Sequence, residues 1–69
     1  MKYLLKISEI GGDAERNQQV EGNITDVYLY MKEHCRPGEI ADIYKNGVYA
    51  ETVIRLRSSV ARLTHRIEW

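Results

Sequence analysis

Apolar and polar residues alternate at the start of the chain, which is the pattern of a half-buried β-strand. In KYLLKISEI (residues 2–10) Tyr3, Leu5 and Ile7 alternate with lysine and serine residues. Gly11-Gly12-Asp13 follows as a turn signal. The polar stretch ERNQQVEG (15–22) then predicts a second strand, placed at an edge of the sheet.

The apolar spacing changes to a helical period in the next segment. The residues at this period form one stripe: Ile24, Val27, Tyr28, Met31 and Cys35. A helix from Ile24 to Cys35 therefore follows, and Asn23 or Thr25 is positioned to cap it because a short polar side chain accepts from the free N–H groups of the first turn. Arg36-Pro37-Gly38 ends the helix.

Residues 39–59, EIADIYKNGVYAETVIRLRSS, allow two interpretations, and the first is a β-hairpin. Asn46-Gly47 favours a two-residue turn, because both turn positions need a positive φ. Tyr44 then faces Tyr49, Asp42 faces Glu51 and Ile40 faces Val53. The other face of this hairpin is almost wholly apolar: Ala41, Ile43, Val48, Ala50, Ile54 and Leu56.

A further turn at Ser58-Ser59 extends the same division of faces to a third strand. The predicted pairs are Arg57 with Val60, Arg55 with Arg62, Val53 with Thr64, and Glu51 with Arg66. The inner face gains Ala61, Leu63, His65, Ile67 and Trp69. Since a slip of one residue exchanges the two faces of a strand, this agreement favours strands.

The second interpretation is a helix–turn–helix. Five residues at 3–4 spacing also form a helical stripe over residues 52–67: Val53, Leu56, Val60, Leu63 and Ile67. A DNA-binding regulator of this kind would bring four residues to the major groove: Tyr49, Glu51, Thr52 and Arg55. The segment is rich in valine, isoleucine, threonine and serine, which form helices poorly, so the hairpin is favoured.

These elements predict a single α+β domain over residues 1–69. It has an antiparallel sheet of four to five strands in the order ββαβββ, with one helix packed on one face. No apolar run reaches the length of a membrane span and no signal peptide is evident, so we expect a cytoplasmic protein. No arrangement of catalytic or metal-ligating residues stands out, which predicts a protein that is not an enzyme and needs no cofactor.

Charge is balanced overall, with ten basic and ten acidic residues, which argues against a general nucleic-acid binder. From Thr52 to Ile67, however, there are four arginines and no acid. On the predicted outer face these arginines join two tyrosines, and both residue types are enriched at binding hot spots. With the outward Leu29 of the helix, the predicted partner-binding residues are Arg55, Arg57, Arg62, Arg66, Tyr44, Tyr49 and Leu29.

Asp42 and Glu51 lie in the middle of this predicted face and favour a protein partner over nucleic acid, although stacked single-stranded bases remain an alternative. A homodimer that buries the face is a further alternative.

Three stretches of the chain resemble the small phage-encoded anti-CRISPR proteins that bind type I surveillance complexes. YLLKISE opens the chain, QQVEGN leads into the helix that ends at Cys35, and GEIADIYKNGVYAETVI forms the hairpin. The resemblance covers residues 1 to about 54, and the tail from Arg55 to Trp69 departs from it. It implies a stoichiometric inhibitor, acting in the host cytoplasm, that docks on a bacterial nucleoprotein complex and blocks its nucleic-acid path.

Overall fold

The structure is a computed structural model that describes residues 1–9, 12 and 14–65. Its elements in chain order are β1 (Lys2–Glu9), β2 (Glu15–Glu21), α1 (Ile24–His34), β3 (Glu39–Lys45), β4 (Val48–Arg55) and β5 (Val60–His65). The strands form one antiparallel sheet in the order β2-β1-β3-β4-β5. The predicted α+β fold in the order ββαβββ is confirmed, and β2 is an edge strand as expected.

The core lies between α1 and one side of the sheet, which we call the helix side. Burial removes apolar surface from water and is the main force that holds α1 in place. The buried apolar residues are Tyr3, Leu5, Ile7, Val27, Met31, Cys35, Ala41, Ile43 and Val53. The alternation in β1 and the helical stripe of α1 therefore predicted their buried faces correctly, except that Ile24 is exposed.

Asn23 is the residue that caps α1. Its side chain accepts from the Asp26 N–H at 3.1 Å, and the Asp26 carboxylate accepts from the Asn23 N–H at 2.8 Å. This reciprocal pair satisfies two backbone donors of the first turn. The helix ends at His34, and Cys35 is already extended, with φ −106° and ψ 149°.

The turn at Asn46-Gly47 confirms the hairpin interpretation. Asn46 and Gly47 both have positive φ values, 53° and 78°, and Tyr44 pairs with Tyr49 across the turn. Residues 52–55 belong to β4. The helix–turn–helix interpretation of this segment is therefore wrong.

The predicted register of β4 is wrong beyond its first residues, because the strand contains a β-bulge. Ala50 is an extra residue, so that Ile43 pairs with Glu51 and Ala41 with Val53. A bulge shifts the alternation of the strand by one position. Val53 consequently enters the core, whereas Ile54, which was predicted to be inside, lies on the opposite side of the sheet.

The register of β5 also differs from the prediction. Arg55 pairs with Val60 and Val53 with Arg62, and the pairing then shifts by one residue at Leu63. Residues directly opposite each other in a sheet share a face, so Arg62 lies on the helix side with Val53. Three residues predicted to be inside are instead largely exposed: Val48, Leu56 and Leu63. The predictions for Arg66, Ile67, Trp69 and the side chain of His65 lie outside the described residues.

None of the helices in the described part of the chain is both long and apolar enough to span a membrane.

Candidate interaction surface

The side of the sheet that faces away from α1, which we call the open face, carries a patch rich in tyrosine, threonine and isoleucine. The patch lies on β3, β4 and β5. Its residues alternate along each strand with residues on the helix side, or pair directly with such open-face residues on the neighbouring strand. We call this group the open-face patch: Ile40, Asp42, Tyr44, Tyr49, Thr52, Ile54 and Thr64. It includes both of the tyrosines that the sequence predicted for a binding surface.

A chain of hydrogen bonds crosses the open-face patch from β5 to β3. The Tyr49 hydroxyl lies 2.6 Å from Thr64 Oγ1 and 2.7 Å from Thr52 Oγ1, and Thr52 Oγ1 donates to Asp42 Oδ1 at 2.7 Å. Because an ionised carboxylate only accepts, the Thr52 proton points to Asp42. Thr52 then accepts from Tyr49, and Tyr49 accepts from Thr64, so the donors run in one direction along the chain.

Tyr44 is held beside this chain by two aromatic contacts. Its ring meets that of Tyr49 edge to face, with centroids 5.9 Å apart. The Lys6 ammonium lies 5.1 Å from the centroid of the Tyr44 ring, which is within cation–π range. Two tyrosines on neighbouring strands are therefore fixed before any partner binds, so that little side-chain freedom remains to be lost on binding.

The charge of the open-face patch is low and negative. Asp42 is its one charged residue, and Lys6 on β1 is adjacent to Asp42 across the β1–β3 pair. Binding to a phosphate backbone depends on clustered lysine and arginine side chains. The composition of the patch instead matches a protein interface, where tyrosine is enriched and charged residues are depleted at the centre.

The structure separates the predicted arginines from the tyrosines. Arg55 lies on the helix side, where its Nε donates to the carbonyl oxygen of Lys32 at 3.2 Å, and its Nη1 contacts the carbonyl oxygens of Leu56 and, at 3.4 Å, Ser59. Arg62 lies on the same side, 3.7 Å from Glu51. The expectation that Arg55 and Arg62 share a face with Tyr44 and Tyr49 is therefore wrong.

The other predicted contact residues are also apart from the open-face patch. Arg57 is exposed in the loop between β4 and β5, and Arg66 lies outside the described residues. Leu29 is 51% exposed on α1, which covers the opposite side of the sheet. One continuous surface cannot contain Leu29 and the two tyrosines.

Two carboxylates are buried on the helix side, and one of them is Glu51, which was wrongly predicted on the outer face beside Asp42. Glu51 accepts a hydrogen bond of 2.7 Å from the Tyr28 hydroxyl. Burial of the phenol and this hydrogen bond together raise the pKa of Tyr28 to about 12. The hydroxyl therefore stays protonated at physiological pH and ties α1 to β4.

Glu39 is the second buried carboxylate. It accepts from Arg16 at 2.7 Å and from the Arg36 N–H at 2.7 Å. Burial by itself would raise the pKa of Glu39, but the Arg36 N–H and the Arg16 guanidinium outweigh burial, and its pKa lies below the ordinary value. This ion pair joins β2 to the beginning of β3.

Cys35, the one cysteine of the chain, is buried beside Met31, and its thiol lies 3.4 Å from the Met31 sulfur. Burial, followed by the nearby Glu39, raises the pKa of the Cys35 thiol. A protonated, buried thiol is a poor nucleophile. Among the described residues, no three histidine, cysteine or acidic side chains are grouped as metal ligands.

Sequence reasoning missed Thr52 and Ile54 as members of the open-face patch, whereas Thr64 was predicted on this face, although opposite Val53 rather than Thr52. Thr64 and Tyr49 are fifteen residues apart and meet only because β5 is shifted at Leu63. In the predicted register, Glu51 and Val53 lie on the outer face, so Thr52 between them falls on the buried side. The bulge at Ala50 moves Thr52 to the open face.

Comparison of the chain with protein-family models, with curated proteins and with solved structures gives no match. The resemblance to anti-CRISPR proteins stays a prediction.

Proposed function

We propose that the protein is a non-enzymatic binding protein that docks on a protein partner through the open-face patch. The observation that carries this proposal is the fixed pair Tyr44–Tyr49, held by the Thr64–Tyr49–Thr52–Asp42 hydrogen bonds on a side of the sheet that α1 does not cover. Rigid tyrosines supply contact area at a low cost in conformational entropy. The two isoleucines beside them add apolar surface.

The specific partner that we propose is a bacterial nucleoprotein defence complex. The support is the resemblance of residues 1 to about 54 to anti-CRISPR inhibitors, together with the order ββαβββ. A stoichiometric inhibitor of this kind needs a preformed docking surface and no catalytic group. Binding of the open-face patch to a protein subunit near the nucleic-acid path would block access of the nucleic acid.

The experiment is a binding assay between the purified protein and purified type I surveillance complexes, with target-DNA binding by the complex as a second readout. We expect saturable binding and loss of DNA binding at one equivalent. Tyr44→Ala and Tyr49→Ala should each weaken binding by about tenfold or more, as hot-spot tyrosines do. The control is Leu29→Ala, which removes an exposed apolar side chain from the opposite side and should leave affinity unchanged.

Two results would contradict the proposal. Equal effects of Leu29→Ala and Tyr49→Ala would show that the open-face patch is not the docking surface. A particle mass that doubles with concentration in light scattering, and that Tyr49→Ala restores to the monomer, would show that the patch is a homodimer interface instead.

A further inference from the structure

The edge strand β2 has features that suit the addition of another strand. It is the terminal strand in the sheet order, and its residues Glu15–Glu21 are exposed except for the half-buried Val20. A terminal strand presents backbone N–H and C=O groups on its outer side, which form a template for a further strand. Binding proteins use such edges for extended peptide segments.

β2 has only some of the features that protect an edge strand, namely the charged side chains of Glu15, Arg16 and Glu21. Its sequence, ERNQQVE, contains no proline or lysine. It pairs with β1 in a regular register over seven residue pairs, without a bulge. The opposite edge differs, since β5 is shifted at Leu63. A long and regular edge of this kind is usually blocked, unless it binds a strand.

The backbone of β2 is also held in place from the helix side. Arg16 is anchored by the buried Glu39 at 2.7 Å, and Val20 packs against the core. The strand is therefore fixed at both ends before another strand arrives, which lowers the entropy cost of adding one.

The charged residues of β2 indicate which kind of segment could pair with its free edge. On the open face, β2 presents Glu15 and Glu21 at its two ends, with Asn17 and Gln19 between them. A second copy paired antiparallel over the full length would set Glu15 opposite Glu21 twice, and like charges directly opposite are destabilising. A segment with a basic residue at each end would instead form two favourable pairs.

We infer that β2 is a docking edge for an extended polypeptide segment of a partner protein, with lysine or arginine residues six positions apart that pair antiparallel with Glu15 and Glu21. This inference does not depend on the open-face patch as a docking surface. The intervening positions of the added strand face Asn17 and Gln19 on the open face and Arg16, Gln18 and Val20 on the helix side.

The test is an NMR titration of the full chain with two blocked peptides, Lys-Val-Thr-Val-Thr-Val-Lys and the same peptide with glutamate at both ends. The lysine peptide should shift the amide signals of β2 and slow their hydrogen exchange. It should bind about tenfold more tightly than the glutamate peptide, since two cross-strand pairs change from repulsive to attractive. Glu21→Lys should remove this preference, whereas Glu33→Lys, an equal charge change on α1, should keep it. Tyr49→Ala should also keep it, which separates this edge from the open-face patch.

Equal affinity for the two peptides would overturn the inference, and so would amide shifts located on the open-face patch rather than on β2. Protection of the β2 amides that appears with rising protein concentration, without peptide, would also overturn it, because the strand would then pair with a second copy.

Discussion

The guanidinium of Arg55 on β4 donates from Nε to the carbonyl oxygen of Lys32 in the last turn of α1, at 3.2 Å. The last carbonyls of a helix lack intrahelical partners, and a basic side chain at this end also interacts favourably with the helix dipole. The same guanidinium reaches the carbonyl oxygens of Leu56 and Ser59. Arg55 thus joins the end of α1 to the loop between β4 and β5.

Replacement of Arg55 by alanine should therefore destabilise the fold. We expect a loss of about 1–2 kcal/mol, because several backbone carbonyls lose a charged donor. Urea unfolding followed by circular dichroism measures this change. Arg57→Ala, two residues further in the exposed loop, is the matched control and should change stability by less than about 0.5 kcal/mol. Equal effects of the two substitutions would refute the role of Arg55 at the helix end.

Tyr28→Phe should destabilise the protein because it leaves the buried Glu51 without the Tyr28 hydroxyl. A buried acceptor that loses its donor costs about 1–3 kcal/mol, and more when it is charged. Glu51→Ala removes the acceptor, so it should cost less when combined with Tyr28→Phe, and the two changes should be non-additive in a double-mutant cycle. Tyr30→Phe, on the same helix, serves as the control. Additive effects of Tyr28→Phe and Glu51→Ala would mean that the contact contributes nothing.

The Tyr28 hydroxyl also makes the stability of the fold depend on pH in the alkaline range. The pKa of Tyr28 rises from 10.0 to about 12 on folding, so the fold favours the protonated form. The stabilisation is present below pH 10.0 and is lost as the pH rises from there towards about 12. Urea midpoints measured across this range should fall for the wild type and fall less for Tyr28→Phe. Identical slopes for the two proteins would exclude Tyr28 as the cause.

Glu39 makes the stability of the fold depend on pH in the acid range, where stability falls as the pH is lowered. Its pKa in the folded chain lies below the ordinary value of 4.5, so folding favours the ionised carboxylate. This stabilisation is present above pH 4.5 and is lost as the pH falls through the lowered pKa of the folded chain. Glu39→Gln should be less stable than the wild type at neutral pH, and the difference should shrink as the pH falls below 4.5. Glu33→Gln, at an exposed position on α1, is the matched control and should change stability at neutral pH by less than about 0.5 kcal/mol.

Periodicity and turn chemistry predicted much of this fold, since β1, the Asn23 cap, α1 and the turn at Asn46-Gly47 are all local features. The faces of β4 could not be predicted in the same way. Val53 and Ile54 are both apolar and β-branched, so either one fits the core, and the choice depends on one extra residue at Ala50. The faces of Arg55 and Arg62 follow from that choice, because Arg62 pairs with Val53 ahead of the shift at Leu63, and this shift keeps Thr64 on its predicted face. The bulge at Ala50 therefore separated these two arginines from the tyrosines, and no local pattern in the sequence predicts a bulge there.

Deletion of Ala50 should be tolerated, because Ala50 is the extra residue of the β4 bulge. Without it, Tyr49 still pairs with Tyr44 on the open face and Glu51 still pairs with Ile43 on the helix side, so each later residue of β4 keeps its face. Deletion of Thr52 is the matched comparison. It forces either Val53 out of the core or Glu51 away from Tyr28 and onto the open face beside Asp42. Burial of a valine side chain alone contributes about 1.5–3 kcal/mol. The Ala50 deletion should therefore unfold at a clearly higher urea concentration than the Thr52 deletion, and nuclear Overhauser contacts between Ile43 and Glu51 should persist in it. If the Ala50 deletion were the less stable of the two, Ala50 would not be the extra residue of β4, and the register described for this strand would be wrong.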